Sequence, residues 1–247
     1  MSENFITPTA QKRLLKDVKD ILKNPLTSHG IYYIHDEQNI MKGYACIMGP
    51  DDTIYSSGAY LFTFDFPGEY PFKPPSLKYM TNDGKTRFHP NLYRTGKVCL
   101  SILNTWKGEQ WTSCQTIKTV LLTLVTLFHN KPLLCEPGFR ESHSDFIPYN
   151  KILEFKNLEI AINNITPRLI KNFLLFEPFI KKHVLKNQEK IKKKIIALKD
   201  SDDNDEIKSV RTYNMRTRLK YTKALEEFES LLNKYSKNWN KKVMYYI

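Results

Sequence analysis

The stretch Arg87-Phe88-His89-Pro90-Asn91-Leu92-Tyr93-Arg94-Thr95-Gly96-Lys97-Val98-Cys99-Leu100-Ser101-Ile102-Leu103 decides how the chain is read. His-Pro-Asn cannot continue a helix, because proline fixes its own φ and pushes the residue before it out of the αR region. Thr95-Gly96 marks a second turn. One cysteine, Cys99, stands between these turns and the apolar Leu100, Ile102 and Leu103, with Asn91 eight residues before it. A thiol is the side chain best suited to carry an acyl group as a thioester. An asparagine amide can donate to the oxyanion formed when such a thioester is attacked. The bland reading, an inert core thiol, conflicts with so many turns around it, yet on this stretch alone it outweighs the nucleophile.

Upstream, Thr7-Pro8 supplies an N-cap and a first-turn proline, and Leu14, Val18, Ile21 and Leu22, with Leu15 alongside, form a helical stripe ended by Asn24-Pro25. Four strands are expected at about 31–36, 43–48, 60–66 and 77–80. In the third, Tyr60, Phe62, Phe64 and Phe66 alternate with Leu61, Thr63 and Asp65. Turn residues between the strands predict an antiparallel meander. Cys46 reads as a small buried residue. Pro67 to Pro75 is proline-dense and rigid. Downstream, Thr112 or Ser113 is expected to cap a helix to about Leu127, with Ile117, Val120, Leu121, Leu124, Val125 and Phe128 inward. A further helix is expected from Tyr149-Asn150 to about Ile165.

Tyr70-Pro71-Phe72-Lys73-Pro74-Pro75, His89-Pro90-Asn91, Gly96 to Leu103 and Trp111, in that order, resemble a ubiquitin-conjugating enzyme over about residues 8 to 165. The long spacer Trp106-Lys107-Gly108-Glu109-Gln110-Trp111 is most similar to the Z-type branch, whose members carry a C-terminal extension. The resemblance implies an α+β fold, a four-stranded antiparallel meander with flanking helices. It also implies a transferase in which Cys99 is the catalytic nucleophile and Asn91 stabilises the oxyanion or holds the active loop. His89 and Pro90 then shape the turn. The basic face of the first helix, Lys12, Arg13 and Lys16, would dock an activating enzyme; the alternative for each is a solvated side chain. Phe72, Lys73, Thr112 and Ser113 would meet a ligase, although Trp111-Thr112-Ser113-Cys114 departs from the family's usual Ser-Pro-Ala after the tryptophan. Lys131 likewise replaces a small or acidic residue before Pro132. The implied partners are ubiquitin or a ubiquitin-like protein, its activating enzyme, a ligase and substrate lysines. The activated bond is made upstream in an ATP-dependent step, so no cofactor or metal is expected at this site.

The chain has 247 residues, 41% hydrophobic, and a net charge of +12. Residues 1–166 carry 18 Lys and Arg against 16 Asp and Glu, whereas residues 167–247 carry 20 against 10. The basic character therefore belongs to the tail, expected to be a helical extension of a catalytic unit spanning 1–166. Its helices are expected at Leu169 to Phe176, at Ile180 to Leu198, and beyond an acidic, mobile linker at 200–206, where Tyr221, Leu225, Phe228, Leu232 and Tyr235 recur at helical steps. Lysine runs are usually solvated faces; binding of nucleic acid or anionic lipid by the tail is the minor alternative. Four cysteines without a C-x-x-C pair give little support to zinc. A start at Met1-Ser2-Glu3-Asn4 without secretory features, and no run near the ~20 apolar residues of a membrane span, predict a cytoplasmic or nuclear protein. Two other functions compete: an inactive scaffold of the same fold, which would lack the cysteine, and a cysteine hydrolase recruiting His129 or His143 as base.

Overall fold

Residues 6–169 and 171–242 are described by a computed structural model; the Met1–Asn4 start and Ile170, inside the expected Leu169 to Phe176 helix, lie outside them. Helix α1 spans Pro8–Lys23 and is capped as its sequence requires, with Thr7 Oγ1 accepting from Ala10 N at 3.1 Å. Strands β1 (Ile31–His35), β2 (Lys42–Met48), β3 (Ala59–Asp65) and β4 (Ser76–Tyr79) form one antiparallel sheet in chain order. Tyr33, Ala45 and Phe62 are register partners, as are Tyr32, Cys46 and Leu61. Because side chains alternate across a strand, these two rows face opposite sides.

Each side has its own core. Ala45, Ile47, Tyr60, Phe62 and Phe64 pack with α2 (Ile117–Thr126) through Ile117, Val120, Leu121 and Leu124. Cys46, Met48 and Leu61 face a second cluster built largely from the chain beyond residue 155. Helix α2 begins later than its sequence suggested. Thr116, not Thr112 or Ser113, is the cap, and Thr116 and Thr119 close a reciprocal capping box.

The stripe of α1 also differs from the expected one. Leu15 and Leu22 are 56% and 74% exposed, while Asp17 is buried. Asp17 is tolerated because Tyr70 Oη donates to it at 2.5 Å and Arg13 Nε at 2.9 Å. After α3 (Phe146–Lys156) the helix widens into a π-helical segment, Asn157–Asn163. There the buried Asn157 accepts from Tyr60 Oη at 2.6 Å and donates to Ser56 O at 2.9 Å.

The extension lies across the outer face of the sheet. Short 3-10 turns at Lys171–Phe176 lead to α4 (Glu177–Lys186) and α5 (Gln188–Lys199). The single helix expected over Ile180 to Leu198 is broken at Asn187, whose amide folds back on His183 O at 2.9 Å. Pro178 stands in the first turn of α4, where a missing N–H costs nothing. Phe173 packs edge-on to Tyr44 at 5.5 Å, and Phe179 against Tyr32 at 4.7 Å.

The acidic 200–206 segment is anchored, because Asp203 pairs with Lys151 at 2.7 Å and with Lys208 at 2.8 Å. It feeds a hairpin of β5 (Ile207–Val210) and β6 (Met215–Arg218), where only helix had been expected. Helix α6 (Tyr221–Lys242) then buries Tyr221, Ala224, Phe228, Leu231 and Tyr235.

Candidate active site

The loop after β4 is folded by short local pairings. Leu92 bridges to both His89 and Val98, and Lys97 bridges back to Lys78 of β4. Gly96 makes this approach feasible. Its φ is +88°, and a Cβ there would lie 2.9 Å from both Lys78 Cγ and Tyr79 O.

The loop brings Asn91 and Cys99 face to face in a reciprocal pair. Cys99 N–H donates to Asn91 O at 2.9 Å, and Asn91 Nδ2 donates to Cys99 O at 2.6 Å. In the resting geometry the Asn91 side-chain amide is taken up by the Cys99 carbonyl. Cys99 is 2% exposed yet belongs to neither hydrophobic cluster. Cys46 contrasts with it: packed into the outer cluster, its thiol is pushed far up by burial and stays protonated. After Cys99 the chain makes one 3-10 turn, Ser101–Leu103, and enters the exposed spacer.

His89 is fully buried. Its Nδ1 accepts from Asn91 N–H at 3.0 Å, so Nε2 carries the proton, and it has no partner. Burial, followed by the charges of His129 and Arg87, pushes its pKa down to about 3. The ring is a neutral spacer inside the turn rather than a proton carrier. His129 stacks edge-on at 6.0 Å, accepts from Lys131 N–H through Nδ1 and faces Cys135 Sγ from Nε2 at 3.4 Å. His89, His129 and Cys135 thus place three potential metal ligands within 4.8 Å of one another. In these tautomers both Nε2 atoms hold protons whereas a metal needs their lone pairs; His129 Nε2 points its proton at Cys135 Sγ, and His89 Nε2 has no partner among the described residues. Among the described residues no imidazole is hydrogen-bonded to Cys99, and His143 turns its Nδ1 to Asp145 N–H instead.

The depressed pKa of His89 sets a pH dependence. Unfolding restores the ordinary value of 6.5, so the unfolded chain takes up the proton first as pH falls. Stability from this group is complete above 6.5 and is lost between 6.5 and about 3, with the unfolding constant rising by at most about tenfold per pH unit. His89→Asn keeps an acceptor for the Asn91 amide and removes the titration. Urea midpoints measured from pH 7 to 4 should fall less steeply in that variant than in the wild type; parallel slopes would refute the assignment.

A family model described as "Ubiquitin-conjugating enzyme" matches residues 13–145. The chain belongs to that family. It is 40% identical over 158 residues to "Ubiquitin-conjugating enzyme E2 Z" of Homo sapiens, covering 63% of this chain and 44% of that protein. The Xenopus tropicalis protein of the same name is 40% identical over 153 residues, 61% of this chain and 48% of its own length. "Probable ubiquitin-conjugating enzyme protein 17" of Caenorhabditis elegans is 37% identical over 207 residues, covering 78% of this chain and 28% of its own. The chain spans about half the length, or less, of these relatives. The similarity to the Z-type branch read from the spacer is supported by the first two names.

Within this family member, two further surfaces take shape. Trp111 Nε1 donates to Pro71 O at 2.6 Å, which brings the proline-rich loop beside Thr112 and Ser113. Phe72 is 70% exposed, Thr112 and Ser113 are exposed, and Lys73 is paired with Glu69 at 2.6 Å. Lys12 and Lys16 are exposed on α1. Arg13 is not: its guanidinium spans from Asp17 to the carbonyls of Ser113 (2.6 Å) and Gln115 (2.5 Å), tying α1 to that loop. Lys131 is neutralised by Glu141 at 2.5 Å, and Asn130 pins Ile54 N and Asp52 O.

Proposed function

We propose that the chain accepts ubiquitin or a ubiquitin-like protein as a thioester on Cys99 and passes it to a substrate lysine. The observation that carries this reading is the Asn91–Cys99 pair, in which one asparagine holds the cysteine's main chain at both its N–H and its C=O. Cys99 thiolate attacks the modifier's C-terminal thioester on an activating enzyme; that enzyme's thiolate leaves and the acyl group stays on Cys99. A lysine amine then attacks the new thioester, an isopeptide bond forms, Cys99 leaves as thiolate, and the amine proton passes to solvent. When the amine adds, the tetrahedral oxyanion needs a donor, and Asn91 Nδ2 is the side-chain amide closest in the loop to supply one by turning from the Cys99 carbonyl. At 2% exposure, an incoming peptide end reaches the sulfur only as the neighbouring side chains give way.

Lys12 and Lys16 remain the exposed cations for docking the activating enzyme, with Arg13 serving as a tether. Phe72, with Thr112 and Ser113, forms the ligase-facing ridge. Polyanion binding by the tail has weak support, since Lys190, Lys192, Lys194, Lys199 and Lys208 are each paired with carboxylates of the fold. Among the described residues, no helix is long and apolar enough to cross a membrane.

One assay tests the reading in two stages. With activating enzymes, ATP and a panel of modifiers, the chain should form a reducible adduct, and Lys12→Glu with Lys16→Glu should slow that step. Discharge to free lysine should fall by roughly a hundredfold in Asn91→Ala, the loss of one oxyanion donor. A chain that never loads from any donor overturns the proposal.

A further inference from the structure

A cavity of about 460 Å3 opens between the Arg87–Thr95 segment and the turn of the β5–β6 hairpin. Three arginines line it, Arg87 and Arg94 from the loop and Arg211 from the hairpin, with Tyr93 and Tyr213 between them. Among the described residues none of the three forms an ion pair. Arg87 donates to the carbonyls of His89 and Pro90 and lies 3.3 Å over the Tyr93 ring. Arg94 donates to the Tyr213 carbonyl, and Arg211 is exposed. Two carboxylates lie behind the hairpin turn, and both are engaged: Glu136 with Tyr213 Oη at 2.7 Å, and Asp145 with Thr212 Oγ1 at 2.6 Å. Neither lines the cavity. Carbonyl dipoles orient guanidinium groups without cancelling their charge, so three like charges face one concave space. Such a space favours an anion, and planar guanidinium forks suit phosphoryl or carboxylate oxygens.

The location narrows the ligand further. The carbonyls held by Arg87 belong to the two residues before Asn91, so the cavity shares a wall with the loop that holds Cys99. Neither Asn91 nor Cys99 lines the cavity itself, so a group bound there reaches their loop only through Arg87 and the Tyr93–Thr95 turn. We propose that this pocket receives a phosphoryl or carboxylate side chain of the acceptor polypeptide, near in sequence to its target lysine. The proposal rests on the transfer function set out above and adds a substrate class to it. It also gives the extension a part in the reaction, because the hairpin supplies one arginine and one wall of the pocket.

The test uses the full chain and three peptides with a single lysine, identical except for phosphoserine, glutamate or glutamine at one nearby position. After Cys99 is loaded, the phosphoserine peptide should discharge it roughly tenfold faster than the glutamine peptide, the benefit of one charge-assisted contact pair. A glutamate peptide equal to the phosphoserine one identifies a general acidic preference, and a slower one identifies a phosphorylated acceptor; either supports the pocket. The ratio of acidic to neutral rates should fall toward one in Arg211→Ala and invert in Arg211→Glu. Arg211 is exposed, so these variants keep the fold. Anisotropy of the labelled phosphopeptide on the uncharged chain gives a readout independent of loading, and failure to load strikes the transfer reading alone. Equal rates and equal binding for all three peptides overturn the inference. So does a preference that survives Arg211→Glu, or phosphopeptide displaced as readily by an oligonucleotide as by itself.

Discussion

Cys99→Ala should abolish the covalent adduct completely while leaving the unfolding midpoint near that of the wild type. The first half follows from the chemistry and the second from size, since the change removes a single sulfur atom and keeps the main-chain bonds to Asn91. Cys99→Ser separates the sulfur's contribution from simple placement. A serine hydroxyl needs a base to become nucleophilic, and no neighbouring imidazole is available to act as one. His89 uses Nδ1 for the Asn91 amide, and His129 uses its nitrogens for Lys131 N–H and Cys135. Loading of the serine variant should therefore fall by roughly 10²–10⁴, the usual worth of general-base assistance, and the trace product should be an ester that resists thiol reductant. The other cysteines should not stand in. Cys46 is sealed with its thiol held protonated, burial raises the pKa of Cys135, and Cys114 is exposed and makes no bond to Asn91 among the described residues. Gels run with and without reductant read the outcome. An adduct of wild-type yield in Cys99→Ala would sink the assignment.

The parts legible in the sequence were those governed by short-range rules. Alternation in Ala59–Asp65 and turn residues at Gly49-Pro50 and Pro67-Gly68 were enough to place the meander within a residue or two. Cys99 and Asn91 could be paired because a turn between them must fold eight residues back on themselves. Features that escaped depend on partners remote in the chain. Asp17 interrupts an apolar stripe because Tyr70, 53 positions away, satisfies it. Arg13 looked like a surface cation because nothing local announces the carbonyls of Ser113 and Gln115. The cap of α2 lies beyond both Thr112 and Ser113, and only the Thr116–Thr119 reciprocity marks it. The π segment inserts an extra residue per turn, which a 3.6-residue template cannot register. The β5–β6 hairpin had a readable signal in Ser209-Val210-Arg211-Thr212-Tyr213-Asn214, rich in β-branched and aromatic residues and ending in an asparagine at φ +47°. Its highly charged surroundings resembled helix and linker instead.

Removing the extension after Thr166 should cost the chain its fold. Residues 1–166 hold the whole sheet, but Cys46, Met48 and Leu61 on its outer face have their cover in Phe173, Phe176, Ile180, Ile191 and Phe228. Truncation would leave only Phe155, Leu158, Ile162 and Ile165 of that cluster's helical side, and newly exposed apolar surface drives association. It would also withdraw the hairpin turn, whose Tyr213 carbonyl holds Arg94 and whose Met215 Sδ accepts from Arg87 N–H at 3.2 Å, both on the segment that leads into the Asn91–Cys99 pair. A single substitution measures the same coupling without removing chain. Phe228 is fully buried on α6, and Phe228→Ala should destabilise by about 3–5 kcal/mol, a large share of the ~5–15 kcal/mol available to a folded protein. Urea unfolding followed by tryptophan fluorescence and by circular dichroism should give one coincident transition, shifted as a whole in the variant, because the two clusters share the sheet between them. A truncated chain that stays monomeric and unfolds cooperatively would show instead that residues 167–247 are an independent unit resting on a self-sufficient catalytic domain.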